Sequence, residues 1–151
     1  MATYVQVLNG TQSADQFIKP QIHEFLIMTD LIFKKESYEI IGLCMEVHNC
    51  LGPGFLEVVY KEAIEIELGK GHIPFEREKE YDVNYKGLIL PHKFYIDFVV
   101  FGKIILEVKA VSSLRDEHIA QAINYLSISK NKLALIVNFG EMSLNYKRVV
   151  K

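Results

Sequence analysis

Phe94-Tyr-Ile-Asp-Phe-Val-Val-Phe101, Gly102-Lys103 and Ile104-Ile-Leu-Glu-Val-Lys-Ala-Val111 form the stretch on which the reading of this chain turns. Both runs have the apolar, β-branched and aromatic content of strands, and both carry charge in the middle. Asp97 interrupts the first, and Glu107 and Lys109 interrupt the second. Side chains two apart in a strand point the same way, so Glu107 and Lys109 share a face with Ile105 and Val111. Leu106, Val108 and Ala110 take the other face. Burying a charge is costly unless it is paired or bound to a metal. An acid in one strand and Glu-x-Lys in the next suit a divalent cation and a water held beside a phosphodiester. A cross-strand ion pair would account for two of these charges and leave one carboxylate over.

Asp97 and Glu107 are symmetric about Gly102. Directly opposite residues of an antiparallel pair share a face, about 5 Å apart. A three-residue connection, Phe101-Gly102-Lys103, would place the two acids opposite each other, with Gly102 supplying the left-handed conformation such loops use. A bulge is a second way to bring them into register. A clean two-residue turn would send them to opposite faces.

Outward from this pair, Tyr81–Tyr85 alternates as a strand with Lys86-Gly87 as its turn. Ser113 with Asp116 reads as a capping box opening a helix to Ser129. Residues 132–139 read as a buried strand and 144–149 as another. Upstream, Ser37 is the expected N-cap of a helix reaching Leu51, with Ile40, Ile41, Cys44, Val47 and Leu51 on one face. Gly52-Pro53-Gly54 breaks it, and a second helix runs over 55–68. Thr3–Leu8 reads as a short strand ended by Asn9-Gly10.

Composition sets the class. The chain has 151 residues, half of them hydrophobic, with a net charge of −2. That length supports one domain with a sizeable core. No apolar run approaches the roughly 20 residues of a membrane span, and the N-terminus lacks the pattern of a signal peptide. Cys44 and Cys50 are too few and wrongly spaced for a zinc site or a disulfide framework, so a reduced, cytoplasmic protein is expected. The slight acidity weighs against tight nonspecific binding to nucleic acid, which depends on neutralising phosphates. A local basic rim from Lys70, Arg77, Lys79, Lys86, Lys93 and Arg115 remains open.

The order Asp97, then Glu107-Val108-Lys109, resembles the PD-(D/E)XK nuclease superfamily. Gly54-Phe-Leu-Glu57-Val-Val-Tyr60 is similar to the signature of the small bacterial GxxExxY proteins placed in it, and Glu46–Gly54 resembles their lead-in. Gln121-Ala-Ile-Asn-Tyr125 resembles the QxxxY element of its exonuclease-like branch, and Ile136-Val-Asn-Phe-Gly140 also fits. The resemblance spans roughly residues 37–150. It departs at Tyr95-Ile96, where the Pro of the superfamily's name is absent. It implies an α+β (α/β) fold with an αβββαβ core, a central mixed sheet flanked by helices, in a domain over 36–151.

The same resemblance implies a metal-dependent phosphodiesterase acting on nucleic acid, DNA in preference to RNA. Asp97, Glu107 and the Val108 carbonyl would hold Mg²⁺ or Mn²⁺. Lys109 would orient the attacking water and stabilise developing charge. Glu57 would be a further acid of the site, with Tyr60 its neighbour, and Gln121 and Tyr125 would contact substrate or orient Lys109. Each has a plainer reading. Glu57 sits where a helix dipole favours an acid and has Lys61 four residues on, a simple surface pair. Gln121 and Tyr125 share a stripe with His118 beside the apolar Ile119, Ile123 and Leu126. His118 reads as part of that polar stripe, and His48 as a packed histidine.

A nuclease-fold protein that binds or self-assembles without catalysis is the alternative of another class. Hydrolysis of a different phosphate ester is a third. Residues 1–35 stand outside the resemblance as an N-terminal extension or arm. Their Phe17, Ile22, Phe25, Leu26, Ile27 and Phe33 leave open a surface appendage, an alternative start at Met28, or packing on a second subunit in a homo-oligomer.

Overall fold

The computed structural model describes residues 6–9 and 32–151. In chain order its elements are β1 (Gln6–Asn9), α1 (Lys34–Leu51), α2 (Glu57–Lys70), β2 (Phe75–Tyr85), β3 (Leu88–Val100), β4 (Ile104–Lys109), α3 (Asp116–Ser129), β5 (Leu133–Asn138) and β6 (Asn145–Val150). The expected αβββαβ core is the run from α2 to β5. One six-stranded sheet has the order β1-β6-β5-β4-β3-β2. Among the described strands only β4 and β5 are parallel. Parallel neighbours need a crossover, and α3 supplies it.

Helices cover both faces because the central strands are apolar on both. Leu106 and Val108 of β4 and Leu133, Leu135 and Val137 of β5 face α1 and α2, meeting Ile40, Cys44, Val47, Ile64 and Leu68. Ile105, Ala134 and Ile136 face α3, meeting Ala122, Tyr125 and Leu126. Such two-faced strands read as continuous apolar runs. A charge on β4 therefore has only the sheet interior to go to.

Two helix starts differ from the sequence reading. α1 opens at Lys34, with Phe33 as its N-cap at φ 51°. Ser37 lies buried inside the helix and does not cap it. Phe33 packs on the core. Lys103 sits over its ring, 4.6 Å from the centroid, and pairs with Glu36 at 2.5 Å. These contacts add a turn that a capping-residue search misses. α3 opens after Arg115, whose N–H donates to His118 Nδ1 at 2.9 Å. His118 therefore acts at the helix start, and the proposed Ser113–Asp116 box is not formed. The strand at Thr3–Leu8 falls partly outside the described residues, and β1 pairs with β6.

Tyr60 is a latch. Its hydroxyl donates to the Gly52 carbonyl at 2.7 Å and accepts from the Phe55 N–H at 3.1 Å. Its ring stacks on Phe139 with centroids 4.6 Å apart. Tyr60 is fully buried and closes the Gly-Pro-Gly bend. Tyr60→Phe should cost about 1 kcal/mol in a denaturant melt, because it removes two part-buried hydrogen bonds that hold the bend. Divalent-ion affinity should not change.

Candidate metal and phosphodiester site

The β3–β4 connection is the three-residue one. Val100 pairs with Ile104, Val99 with Ile105 and Phe98 with Leu106. Phe101 and Gly102 both have positive φ, 56° and 68°, as hairpin turns require. This register brings Asp97 alongside Glu107, but regular pairing stops one residue short of them.

The interruption comes from the neighbouring ribbon. Arg77 pairs with Phe98 and Lys79 with Ile96, so Glu78 stands opposite Asp97. Glu78 has φ 48°. There both strands exchange faces. Phe75 and Phe98 pack toward α1 and α2, whereas Tyr81, Phe94 and Ile96 pack toward α3. An unbroken strand would keep residues two apart on one side. The twist takes Asp97 out of the β-ladder, and its groups find new partners. The Val108 N–H donates to Asp97 Oδ2 at 2.9 Å, and the Asp97 N–H donates to Glu107 Oε1 at 3.3 Å. Each carboxylate is thus held by the backbone of the opposite strand.

Glu107 is only 3% exposed. Burial first, and the charge of Asp97 second, push its pKa up to about 8, against the opposing pull of Lys109 and the Asp97 amide. Lys109 shares its face and lies 3.4 Å from Glu107 Oε2, with its own side chain 13% exposed. The segment after Lys109 is clamped by Asn138, which is fully buried. Asn138 Oδ1 accepts from the Val111 N–H at 2.9 Å, and its Nδ2 donates to the Val111 carbonyl at 2.8 Å. Gly140 makes this approach possible, since a Cβ there would lie 2.3 Å from the Val111 oxygen and 2.6 Å from its nitrogen. Gly140→Ala should therefore cost on the order of 2–3 kcal/mol in a thermal melt, because the obstruction is backbone and cannot rotate away.

α3 and α2 approach from different sides. Tyr125, nearly buried, packs edge-on against Phe94. Its hydroxyl accepts from Gln121 Nε2 at 3.0 Å. Burial, then the charge of Glu107, raises its pKa, while the Gln121 hydrogen bond opposes the rise. Gln121 thus reaches the cluster through Tyr125. Glu57, the first residue of α2, lies 3.0 Å from Lys61, and Lys61 Nζ lies 2.5 Å from Asp97 Oδ1. Lys61 is the residue the sequence reading missed. Its spacing from Glu57 is that of a surface pair, yet its side chain is 14% exposed and bridges two acids. Burial disfavours its ammonium, but Asp97 and then Glu57 more than offset this and raise its pKa.

Three carboxyl groups (Glu57, Asp97, Glu107) and two ammonium groups (Lys61, Lys109) are thus linked contact by contact. Among the described residues no three His, Cys, Asp or Glu side chains gather as a ready ligand set. The candidate donors are the Asp97 and Glu107 carboxylates with the Val108 carbonyl. Magnesium takes one or two carboxylates and completes its shell with water and phosphate oxygens, so this donor set fits it. The expected basic rim is largely neutralised. Lys70 pairs with Glu67, Arg77 with Glu65, Lys79 with Glu76 and Lys93 with Asp82. His48 is packed as expected, its Nε2 2.9 Å from the Glu141 carbonyl. No helix among the described residues is long and apolar enough to cross a membrane.

The sequence model of the PD-(D/E)XK nuclease superfamily matches residues 34–149. No curated protein matches the chain in sequence. Among solved structures, the crystal structure of SSO0001 is similar, with a TM-score of 0.50 and 18% identity. The likeness covers 62% of this chain and 48% of that one, so this chain spans about half the length of the structure it matches. At that identity the likeness concerns the fold alone.

Proposed function

The chain belongs to the PD-(D/E)XK nuclease superfamily, and we propose that Asp97, Glu107 and Lys109 form a divalent-metal-dependent site that hydrolyses phosphodiesters of nucleic acid, DNA in preference to RNA. The observation that carries this reading is the interlocked pair of carboxyl groups, Glu107 buried and Asp97 half-buried, with an ammonium 3.4 Å away. Separate Lys61–Asp97 and Lys109–Glu107 ion pairs would occupy each acid once, but neither requires the two carboxyl groups to interlock through the backbone of each other's strand. Mg²⁺ or Mn²⁺ bound there would acidify water and draw charge from phosphoryl oxygens.

The chain's own residues divide the remaining work. The Val108 N–H holds Asp97 Oδ2 and leaves Oδ1 directed away from that bond. The Val108 carbonyl, on the residue whose N–H already engages Asp97, would supply the third donor. Glu107 presents its oxygens from the sheet interior, where little water competes for them. Lys109 keeps a proton donor and a positive charge beside them and stabilises charge developing on the phosphoryl group. Glu57 acts through Lys61. Tyr125, oriented by Gln121, borders the cluster on the α3 side and is a contact for substrate. The match of Gly54–Tyr60 to the GxxExxY signature supports Glu57 as a site residue and the GxxExxY proteins as its closer kin.

Cleavage assays on single- and double-stranded DNA and RNA, with and without Mn²⁺ or Mg²⁺, test the proposal. Metal-dependent cleavage, strongest on DNA, is expected. Binding of the ion without cleavage of any substrate would favour a silent binding or assembly role.

A further inference from the structure

We infer that Lys61 is a tethered ammonium that stands in for the divalent cation, competing with it for Asp97 and so setting how tightly the site loads. The inference rests on the reading of Asp97 and Glu107 as ion ligands. Its basis is geometric. Asp97 Oδ2 is taken by the Val108 N–H at 2.9 Å, and the remaining oxygen, Oδ1, is taken by Lys61 Nζ at 2.5 Å. The oxygen best placed for an ion is therefore already occupied by a cation of this chain.

Lysine seldom sits this deep without paired acids. An ordinary helix pair four residues apart is exposed and contributes little. Here the same ammonium also reaches Glu57 at 3.0 Å, so it joins α2 to β3 across the mouth of the cluster. Without it, Glu57 and Asp97 Oδ1 would lose the ammonium that joins them. An incoming divalent ion meets both the blocked Oδ1 and the repulsion of a fixed positive charge. The flexible four-carbon stem of lysine lets the ammonium withdraw when the ion arrives. A residue that merely orients Asp97 would have the opposite effect on affinity, because its removal would loosen a ligand.

Calorimetric titration of Mn²⁺ into the parent chain, Lys61→Met, Lys61→Gln, Lys61→Arg and Asp97→Ala separates these cases. Lys61→Met and Lys61→Gln should bind Mn²⁺ about tenfold or more tighter than the parent, since a like charge within a few ångströms has gone. Lys61→Arg, which keeps the charge, should bind no tighter than the parent. In melts without metal, Lys61→Met should unfold at lower temperature than the parent, and Mn²⁺ should restore it more than it raises the parent. Lys61→Gln retains a donor to Asp97 and serves if the methionine variant does not fold. Equal or weaker binding by the folded neutral variants overturns the inference while ion binding by the parent, lost in Asp97→Ala, upholds the ligand reading. Absence of binding in the parent and in both neutral variants would overturn both.

Discussion

Glu107→Gln is expected to raise the melting temperature of the metal-free protein at pH 9 and to leave it nearly unchanged near pH 4. The folded chain holds the Glu107 proton up to about pH 8, chiefly because burial and then Asp97 oppose ionisation, whereas the ordinary value is 4.5. Below pH 4.5 both states carry the proton and the residue makes no difference. Between 4.5 and 8 the unfolded chain has released a proton that the folded chain keeps, so stability falls as pH rises. Above 8 the full loss is present, on the order of 4–5 kcal/mol. Glutamine removes the charge and keeps the oxygen that accepts from the Asp97 N–H, although it accepts less well from Lys109. For a chain of this size the gain at pH 9 corresponds to roughly 10 °C. A divalent ion should reverse the order, stabilising the parent and not the variant. Differential scanning calorimetry across pH, with and without Mn²⁺, measures both effects.

Lys109→Ala should reduce phosphodiester cleavage by about a hundredfold or more, the scale seen when one group that stabilises transition-state charge is removed. It should leave ion binding intact or slightly tighter, because Lys109 donates no lone pair and its charge opposes the ion. Asp97→Ala should lose both cleavage and ion binding. The surroundings of Asp97 also predict a stability change of mixed sign. The variant leaves the Lys61 ammonium with Glu57 alone and strands the Val108 N–H, and it relieves the repulsion that raises Glu107. Its melting temperature should therefore change far less than the roughly 3–5 kcal/mol lost when a buried ion pair is broken from one side. A purely structural ion pair predicts large destabilisation by both variants and no ion binding by the parent. Melts, calorimetry and a cleavage assay on the same preparations separate these outcomes.

The strands of the core were legible because their apolar runs are long and their turns carry Gly or positive-φ positions, as at Lys86-Gly87 and Phe101-Gly102. The symmetry of Asp97 and Glu107 about Gly102 left a three-residue loop, a bulge and a two-residue turn open, and the loop length decides among them. Helix starts were less legible. Phe33 begins α1 by packing on the core and through the Lys103–Glu36 pair, contacts that join residues far apart in sequence. The face exchange at Glu78 and Asp97 had no local signal either, because β2 keeps its alternation of half-buried and exposed residues straight through it. Lys61 was misread for a related reason. Its spacing from Glu57 is visible along the helix, whereas its contact with Asp97 exists only once α2 lies over the end of β3. The role of Tyr60 was equally hidden along the chain, since its hydroxyl closes the Gly52–Phe55 bend. The reading of residues 1–35 as an arm on a second subunit falls largely outside the described residues.

Ion loading at Asp97 and Glu107 underlies the whole account, and calorimetric titration of Mn²⁺ at pH 6.5 in two buffers of different ionisation enthalpy tests it directly. The buffer comparison counts protons. At that pH Glu107 is held protonated by burial and by Asp97, and a carboxylate must lose its proton to ligate. One ion should bind per chain with release of about one proton, and Asp97→Ala should lose that binding. Binding that persists undiminished in Asp97→Ala, or no binding by the parent chain, would contradict ion loading at this pair.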